Sequence, residues 1–181
     1  MALSEVKLSK KFKIDGWASG QTRFSRHGGC WVGSKLDHCK HIKSLDTNIT
    51  WFSVAIDYVP IHIISCYLQP QDRRHTTESI NRLLFIIEDV TRRIPSSRFI
   101  ILGNFNENRQ EVERVLRSKN FAPLIIDGTP THRLGGHLDQ VFSNFGGTSE
   151  IIQIDFSDHV AIKVNIELSK LPSDFDLRSC I

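Results

Sequence analysis

Apolar and polar positions alternate along this chain in short runs that end at turn-forming residues. β-like stretches are read over 30–34, 49–57, 61–68, 99–102, 138–143, 151–154 and 160–168, each bounded by Gly, Pro, Asn, Asp or Ser. Two segments instead carry the three-to-four-residue period of an amphipathic helix. In the first, Ile80, Leu83, Leu84, Ile87, Val90 and Ile94 share a face, Thr76 and Thr77 are the expected N-caps, and Pro95 ends the pattern. The second is expected over 109–119, with Asn108 as cap and Glu111 at the third helical position. Tyr58-Val59-Pro60, between two β runs, predicts a hairpin. Hairpins interleaved with amphipathic helices predict an α/β protein with helices packed on the outer faces of its sheets.

Composition narrows the class. The 181 residues are 40% hydrophobic and 24% charged, which excludes a disordered chain, collagen and a coiled coil. One domain is expected over 1–168, followed by a polar tail over 169–181 where periodicity stops. No apolar run approaches the roughly 20 residues of a membrane-spanning helix. The leading MALSEVKLSKKFK is too polar for a signal peptide, so the expectation is a soluble intracellular protein, nuclear or cytoplasmic, with no membrane partner. The four cysteines, Cys30, Cys39, Cys66 and Cys180, lack a C-x-x-C pair, and His38-Cys39-x-His41 lacks structural-zinc spacing. The net charge of +3 is unevenly distributed: residues 1–43 hold nine Lys/Arg against three Asp/Glu, and the rest of the chain is net acidic. A basic leading segment suits a polyphosphate partner or a solvated face equally well.

Candidate chemistry sits where β runs meet carboxylates, amides and histidines: Ser4-Glu5-Val6-Lys7, Phe99 to Asn106, His137 to Phe142, and Asp155 to His159. Asp139 lies inside an apolar run, where an ionised carboxylate needs a partner. A histidine from another strand is that partner, because a carboxylate on one ring nitrogen sets the tautomer and raises the basicity of the other; Asp139 is therefore expected to pair with His159. Asn104 and Asn106 are read either as phosphate-binding amides or as caps of the helix that follows. Arg23 and Arg26, flanking Phe24, and His132 with Arg133 are candidates for gripping a nucleic-acid backbone. Trp31 and Trp51 fall inside strand patterns and are expected in the core.

Taken in order, these clusters resemble the endonuclease/exonuclease/phosphatase superfamily, and within it the apurinic-site-endonuclease-like domains of LINE-type retrotransposons and the related Helitron/Pif1-associated domains. The motifs are Ser4-Glu-Val-Lys-Leu-Ser9, Arg23-Phe-Ser-Arg-His-Gly-Gly-Cys-Trp-Val-Gly-Ser-Lys35, Ser65-Cys-Tyr-Leu-Gln-Pro70, Ile101-Leu-Gly-Asn-Phe-Asn-Glu107, Pro130 to Phe142, and Ser157-Asp-His-Val-Ala-Ile162. The resemblance spans about 4–168. It implies a four-layer α/β sandwich of two facing mixed β-sheets flanked by helices, and a metal-dependent phosphodiesterase chemistry. It also implies roles: Glu5 as ligand of Mg²⁺ or Mn²⁺, Asp158 as the second acid near the metal, Tyr67 and Asn106 on the scissile phosphate, and Asp139 orienting a catalytic His159.

Two departures from the pattern matter. Asn104 occupies the position of the family's water-orienting aspartate, and an amide cannot take up a proton. The family's first strand, with its "N-x-x-G" motif, has no counterpart ahead of Glu5, so the domain reads as N-terminally truncated, with the metal weakly bound or absent and an open sheet edge for a protein partner or self-association. The leading expectation is a DNA endonuclease domain of retrotransposon type, severely impaired in hydrolysis. The alternative is a catalytically inactive derivative acting as a nucleic-acid-binding or protein-interaction module. A phosphomonoester or lipid-headgroup substrate ranks last.

Overall fold

The structure, a computed structural model, describes residues 1–3, 13–22, 29–35, 39–45, 48–56, 59–155 and 157–166. In chain order the elements are β1 (Ala2–Leu3), β2 (Ala18–Gln21), β3 (Trp31–Ser34), β4 (Cys39–Leu45), β5 (Ile49–Ile56), β6 (Val59–Tyr67), α1 (Arg73–Arg93), β7 (Arg98–Asn104), a 3₁₀ turn (Asn106–Asn108), α2 (Arg109–Arg117), β8 (Ala122–Pro123), β9 (Asp139–Ser143), β10 (Thr148–Ile152) and β11 (Ala161–Asn165). The chain has the mixed α/β architecture expected of it. A six-stranded sheet in the order β4-β5-β6-β7-β9-β8 is antiparallel except where α1 carries the chain over from β6 to a parallel β7. A three-stranded antiparallel sheet, β1-β3-β2, and a two-stranded one, β10-β11, complete the strands.

Strand parity assigns the two faces of the central sheet, because successive side chains alternate. On one face Ile64, Cys66, Phe99, Ile101 and Phe142 pack against Ile80, Leu83, Ile87 and Val90 of α1 and against Val112 and Leu116 of α2. On the other, Val54, Ile61, Ile100 and Val141 meet Ile151, Ile162 and Val164 of the β10-β11 pair. Among the described residues the helices therefore cover one face of the six-stranded sheet and the β10-β11 pair covers the other. Among the described residues no helix is long and apolar enough to cross a membrane.

α1 begins earlier than expected, whereas α2 begins at Arg109 as expected but without the side-chain cap bond. α1 is capped by Asp72, whose Oδ1 accepts the His75 amide at 3.1 Å, so Thr76 and Thr77 lie inside the first turns. Asn108 does precede α2, but its side chain makes no capping bond; the 3₁₀ turn ahead of it directs Nδ2 to Thr76 Oγ1 at 3.4 Å. Ile56 pairs with Val59, so Val59 and Pro60, expected in the turn, belong to β6; residues 57–58 lie outside the described residues. Trp31 is fully buried and Trp51 packs against the helix-side core. The tail at 169–181 lies outside the described residues.

Two buried features constrain this framework. At Gly103 the backbone of β7 approaches β6 so closely that a Cβ would stand 1.9 Å from the Cys66 carbonyl oxygen. Gly103→Ala is therefore expected to cost at least about 3 kcal/mol, since backbone and not a flexible side chain must yield; a thermal melt within a degree or two of the parent would refute this. His62 is buried on the helix side, its Nδ1 accepting Trp51 Nε1–H at 3.2 Å and its ring against Phe99. Burial depresses its pKa from 6.5 to about 4, so the neutral ring's contribution to stability is complete above pH 6.5 and is lost as the pH falls towards 4. Urea denaturation should show roughly 3 kcal/mol lost across that window from this group. His62→Phe should remove most of that dependence, and an undiminished loss in the variant would place its origin elsewhere.

Candidate functional site

The site is built on the ends of three neighbouring strands. Tyr67 of β6 pairs in register with Asn104 of β7, and Asn104 pairs with Asp139 of β9. Residues directly opposite on adjacent strands point to the same side, so Tyr67, Asn104 and Asp139 stand in a row on the face opposite the helices. All three are buried. The close contact at Gly103 draws β6 and β7 together immediately before this row.

His159 reaches the row from the segment ahead of β11. Its Nδ1 lies 2.7 Å from Asp139 Oδ2, the pairing anticipated for these two residues. A carboxylate there makes Nδ1 the protonated nitrogen and leaves Nε2 to act as acid or base. Thr131 supports the acid: its buried Oγ1 accepts the backbone N–H groups of Leu138 at 3.0 Å and Asp139 at 2.9 Å. Thr131 also joins the two segments, because its carbonyl accepts the Val160 amide at 3.0 Å.

The loop carrying His132 and Arg133 is stitched to the same segment. His132 and His159 form a β-bridge, and their rings meet edge-on with centroids 4.9 Å apart. The Arg133 amide donates to the Asp158 carbonyl at 2.7 Å, and its guanidinium donates to the Ser157 carbonyl at 2.9 Å. His132 Nε2 lies 3.3 Å from Asp158 Oδ2. The Asp158 carboxyl is held below its ordinary value, first by a hydrogen bond from its own backbone amide and then by His132. Two of the four residues proposed as nucleic-acid contacts thus have local structural partners here; the other two, Arg23 and Arg26, lie outside the described residues, as does Glu5.

Both amides of the Asn104-Phe105-Asn106 turn serve the turn itself. Asn104 Oδ1 accepts the Asn106 amide at 3.0 Å, and Asn106, at φ +49°, donates Nδ2–H to the Leu68 carbonyl at 2.7 Å. A short side-chain acceptor two residues back is what stabilises such a turn. Asn106 therefore ties the end of β7 to the end of β6. Burial pushes the Cys66 thiol up to about 12 and raises Cys30 as well, so neither is a thiolate at neutral pH.

Residues that sequence reasoning left out are Thr131 and the paired role of His132. Thr131 stood in the quoted Pro130 to Phe142 motif, but its two N–H bonds depend on a turn between residues 131 and 138 that no periodicity announces. Thr131→Val, close in shape, is expected to lower stability by about 2 kcal/mol through two stranded amides. The His159 side chain should report the same change as a weakened Nδ1–H signal in long-range ¹H–¹⁵N spectra.

No family model and no curated protein matches the sequence. Solved structures match its fold. The endonuclease domain of TRAS1, a telomere-specific non-LTR retrotransposon, superposes with a TM-score of 0.65 at 17% identity, covering 87% of this chain and 83% of that one. An endonuclease/exonuclease/phosphatase family protein from Leptotrichia buccalis gives 0.59 at 17%, over 92% and 86%. The mannosyl-6-phosphatase of Bacteroides thetaiotaomicron gives 0.62 at 8%, over 86% and 78%. The fold is thus that of the endonuclease/exonuclease/phosphatase structures. Within that fold the chain is similar to a retrotransposon endonuclease domain.

Proposed function

We propose that this chain is a DNA phosphodiesterase domain of retrotransposon-endonuclease type whose hydrolytic step is severely slowed by Asn104. The observation that carries the reading is the row Tyr67-Asn104-Asp139 completed by His159 on Asp139 at 2.7 Å. A phosphodiester laid along the strand ends would meet the Tyr67 hydroxyl and His159 Nε2–H as donors to its non-bridging oxygens, where charge grows as water adds to phosphorus. His159 is anchored for this because Asp139 balances its positive charge and prevents ring rotation. As the P–O bond to the leaving strand breaks, the departing oxygen takes a proton from solvent or from this histidine.

Position 104 is where the attacking water would be activated. The Asn104 amide, held by the Asn106 N–H, orients a water molecule but has no basic site for its proton. The expected penalty is about 10²–10⁴ in rate. A Mg²⁺ ion, in this reading, would polarise the phosphate. Among the described residues only Asp158 offers it a solvent-facing carboxylate at the site, since Asp139 is committed to His159. One carboxylate does not make a Mg²⁺ site, so Glu5 together with Asp158 would hold the ion.

The test is nicking of supercoiled plasmid in Mg²⁺. Asn104→Asp should raise the rate at least about a hundredfold over the parent, and adding His159→Ala or Glu5→Gln should abolish the gain. An inert Asn104→Asp protein that retains its parent's stability would overturn the reading.

A second reading rests on Asn104 itself. Its Oδ1 is spent on a turn that a silent, DNA-holding module needs equally, so binding without cleavage is the alternative. It requires DNA affinity that falls with salt, with a log–log slope that shrinks by about one for each of Arg23 and Arg26 removed. No affinity at low salt would exclude it.

A further inference from the structure

His132 stands outside the row of strand-end residues, yet it faces Asp158 and His159 directly. The ligand atoms that these three side chains offer lie within 4.8 Å of one another. The shortest separation, His132 Nε2 to Asp158 Oδ2, is 3.3 Å. Ligands about 2.0–2.2 Å from a tetrahedral ion stand roughly 3.3 Å apart, so this edge is already at coordination spacing. The remaining atoms need to close by about 1.5 Å at most to reach it.

The donors differ in kind from a magnesium site. Two imidazoles and one carboxylate suit a borderline cation such as Zn²⁺, whereas Mg²⁺ takes oxygen donors and keeps its water. One of the two histidines already has its support in place. His159 gives Nδ1–H to Asp139, the arrangement that fixes a metal-binding histidine with Nε2 towards the ion. The β-bridge between His132 and His159 fixes the two backbones against each other. The side chains are partly open, at 16% exposure for His132, 21% for His159 and 67% for Asp158, so an ion can enter and water can fill a fourth position.

One interaction opposes this and makes a distinctive readout. Leu134 donates its backbone N–H to His132 Nδ1 at 3.2 Å, which places the proton of the metal-free ring on Nε2. An ion at Nε2 requires the other tautomer, with the proton on Nδ1 and the Leu134 amide released to water. Leu134 is 89% exposed, so water is at hand to accept it.

We propose that His132, Asp158 and His159 form a site for one zinc-class cation, and that its occupancy takes the His159 Nε2 out of reach of a phosphate. The binding claim stands independently of the nuclease reading; only the inhibitory consequence rests on it. Isothermal titration of the purified chain with Zn²⁺, and with Co²⁺ as a spectroscopic probe, should show one ion per chain with a tetrahedral Co²⁺ visible spectrum, not displaced by excess Mg²⁺. His132→Ala should weaken it more than about tenfold by removing one of three protein ligands, with His132→Gln as a fold-preserving second variant. Asp139→Asn should weaken it about ten- to a hundredfold through the ring it supports. The His38→Ala/His41→Ala protein should bind as the parent does. Zn²⁺ should shift the Leu134 amide resonance and move the His132 proton to Nδ1. The proposal is overturned by absence of saturable binding, by equal affinity in folded His132→Ala and parent, or by loss of binding in the His38→Ala/His41→Ala protein. Should Zn²⁺ bind as described while Asn104→Asp fails to nick, the cation site stands and the nuclease reading falls.

Discussion

Everything at the candidate site depends on the register of three strands. Tyr67, Asn104 and Asp139 are neighbours only because β6 pairs with β7 and β7 with β9 at those residues. A slip of one residue in either ladder would turn a member of the row into the helix-side core and place an apolar side chain on the site. The register is held from both faces. Phe99, Ile101 and Phe142 are locked under the helices, and Ile100 and Val141 under the β10-β11 pair. Gly103 adds a steric condition at the point of closest approach, where no side chain fits.

A second constraint joins the row to the rest of its chemistry. His159 is brought to Asp139 by backbone, not by side-chain attraction alone: the His132 bridge, the Thr131 carbonyl on Val160 and the Arg133 amide on Asp158 lay two loops side by side. Loops that carry function are commonly positioned by a rigid scaffold, and here the scaffold extends one bridge beyond the sheet. The same stitching that would orient a histidine for phosphate chemistry also places three ligating groups within reach of a borderline cation, so one arrangement supports two proposed chemistries that cannot operate at once.

Much of this is legible in the sequence, for identifiable reasons. The long β runs and both amphipathic helices announced themselves by periodicity, and the cost of an ionised Asp139 in an apolar run pointed to a histidine partner. The strands that periodicity does not mark are those with weak patterns: Ala18–Gln21 is small and polar, Cys39–Leu45 carries Lys40 and Lys43, Ala2–Leu3 and Ala122–Pro123 are two residues each. Their pairing is imposed by neighbours and not by intrinsic preference. The α1 cap shifted from Thr76 to Asp72 because the helix runs on ahead of its apolar stripe into residues with no hydrophobic period to mark them. The amides of Asn104 and Asn106 were ambiguous between ligand and turn, and only the positions of the Asn106 N–H and the Leu68 carbonyl show their use in the turn.

The sequence by itself determined the class of fold and the residue types at the strand ends, because hydrophobic period and the cost of burying charge are local and can be read one segment at a time. It also determined the chemistry available at position 104, since an amide differs from a carboxylate wherever it sits. What only the tertiary structure decided is which of these groups meet. The contact of His132 with Asp158 and His159, 26 and 27 positions along the chain, and the service of Thr131 to two backbone amides, arise from the path of loops across the sheet. Such contacts follow from the closure of the whole core, and no window of sequence contains them.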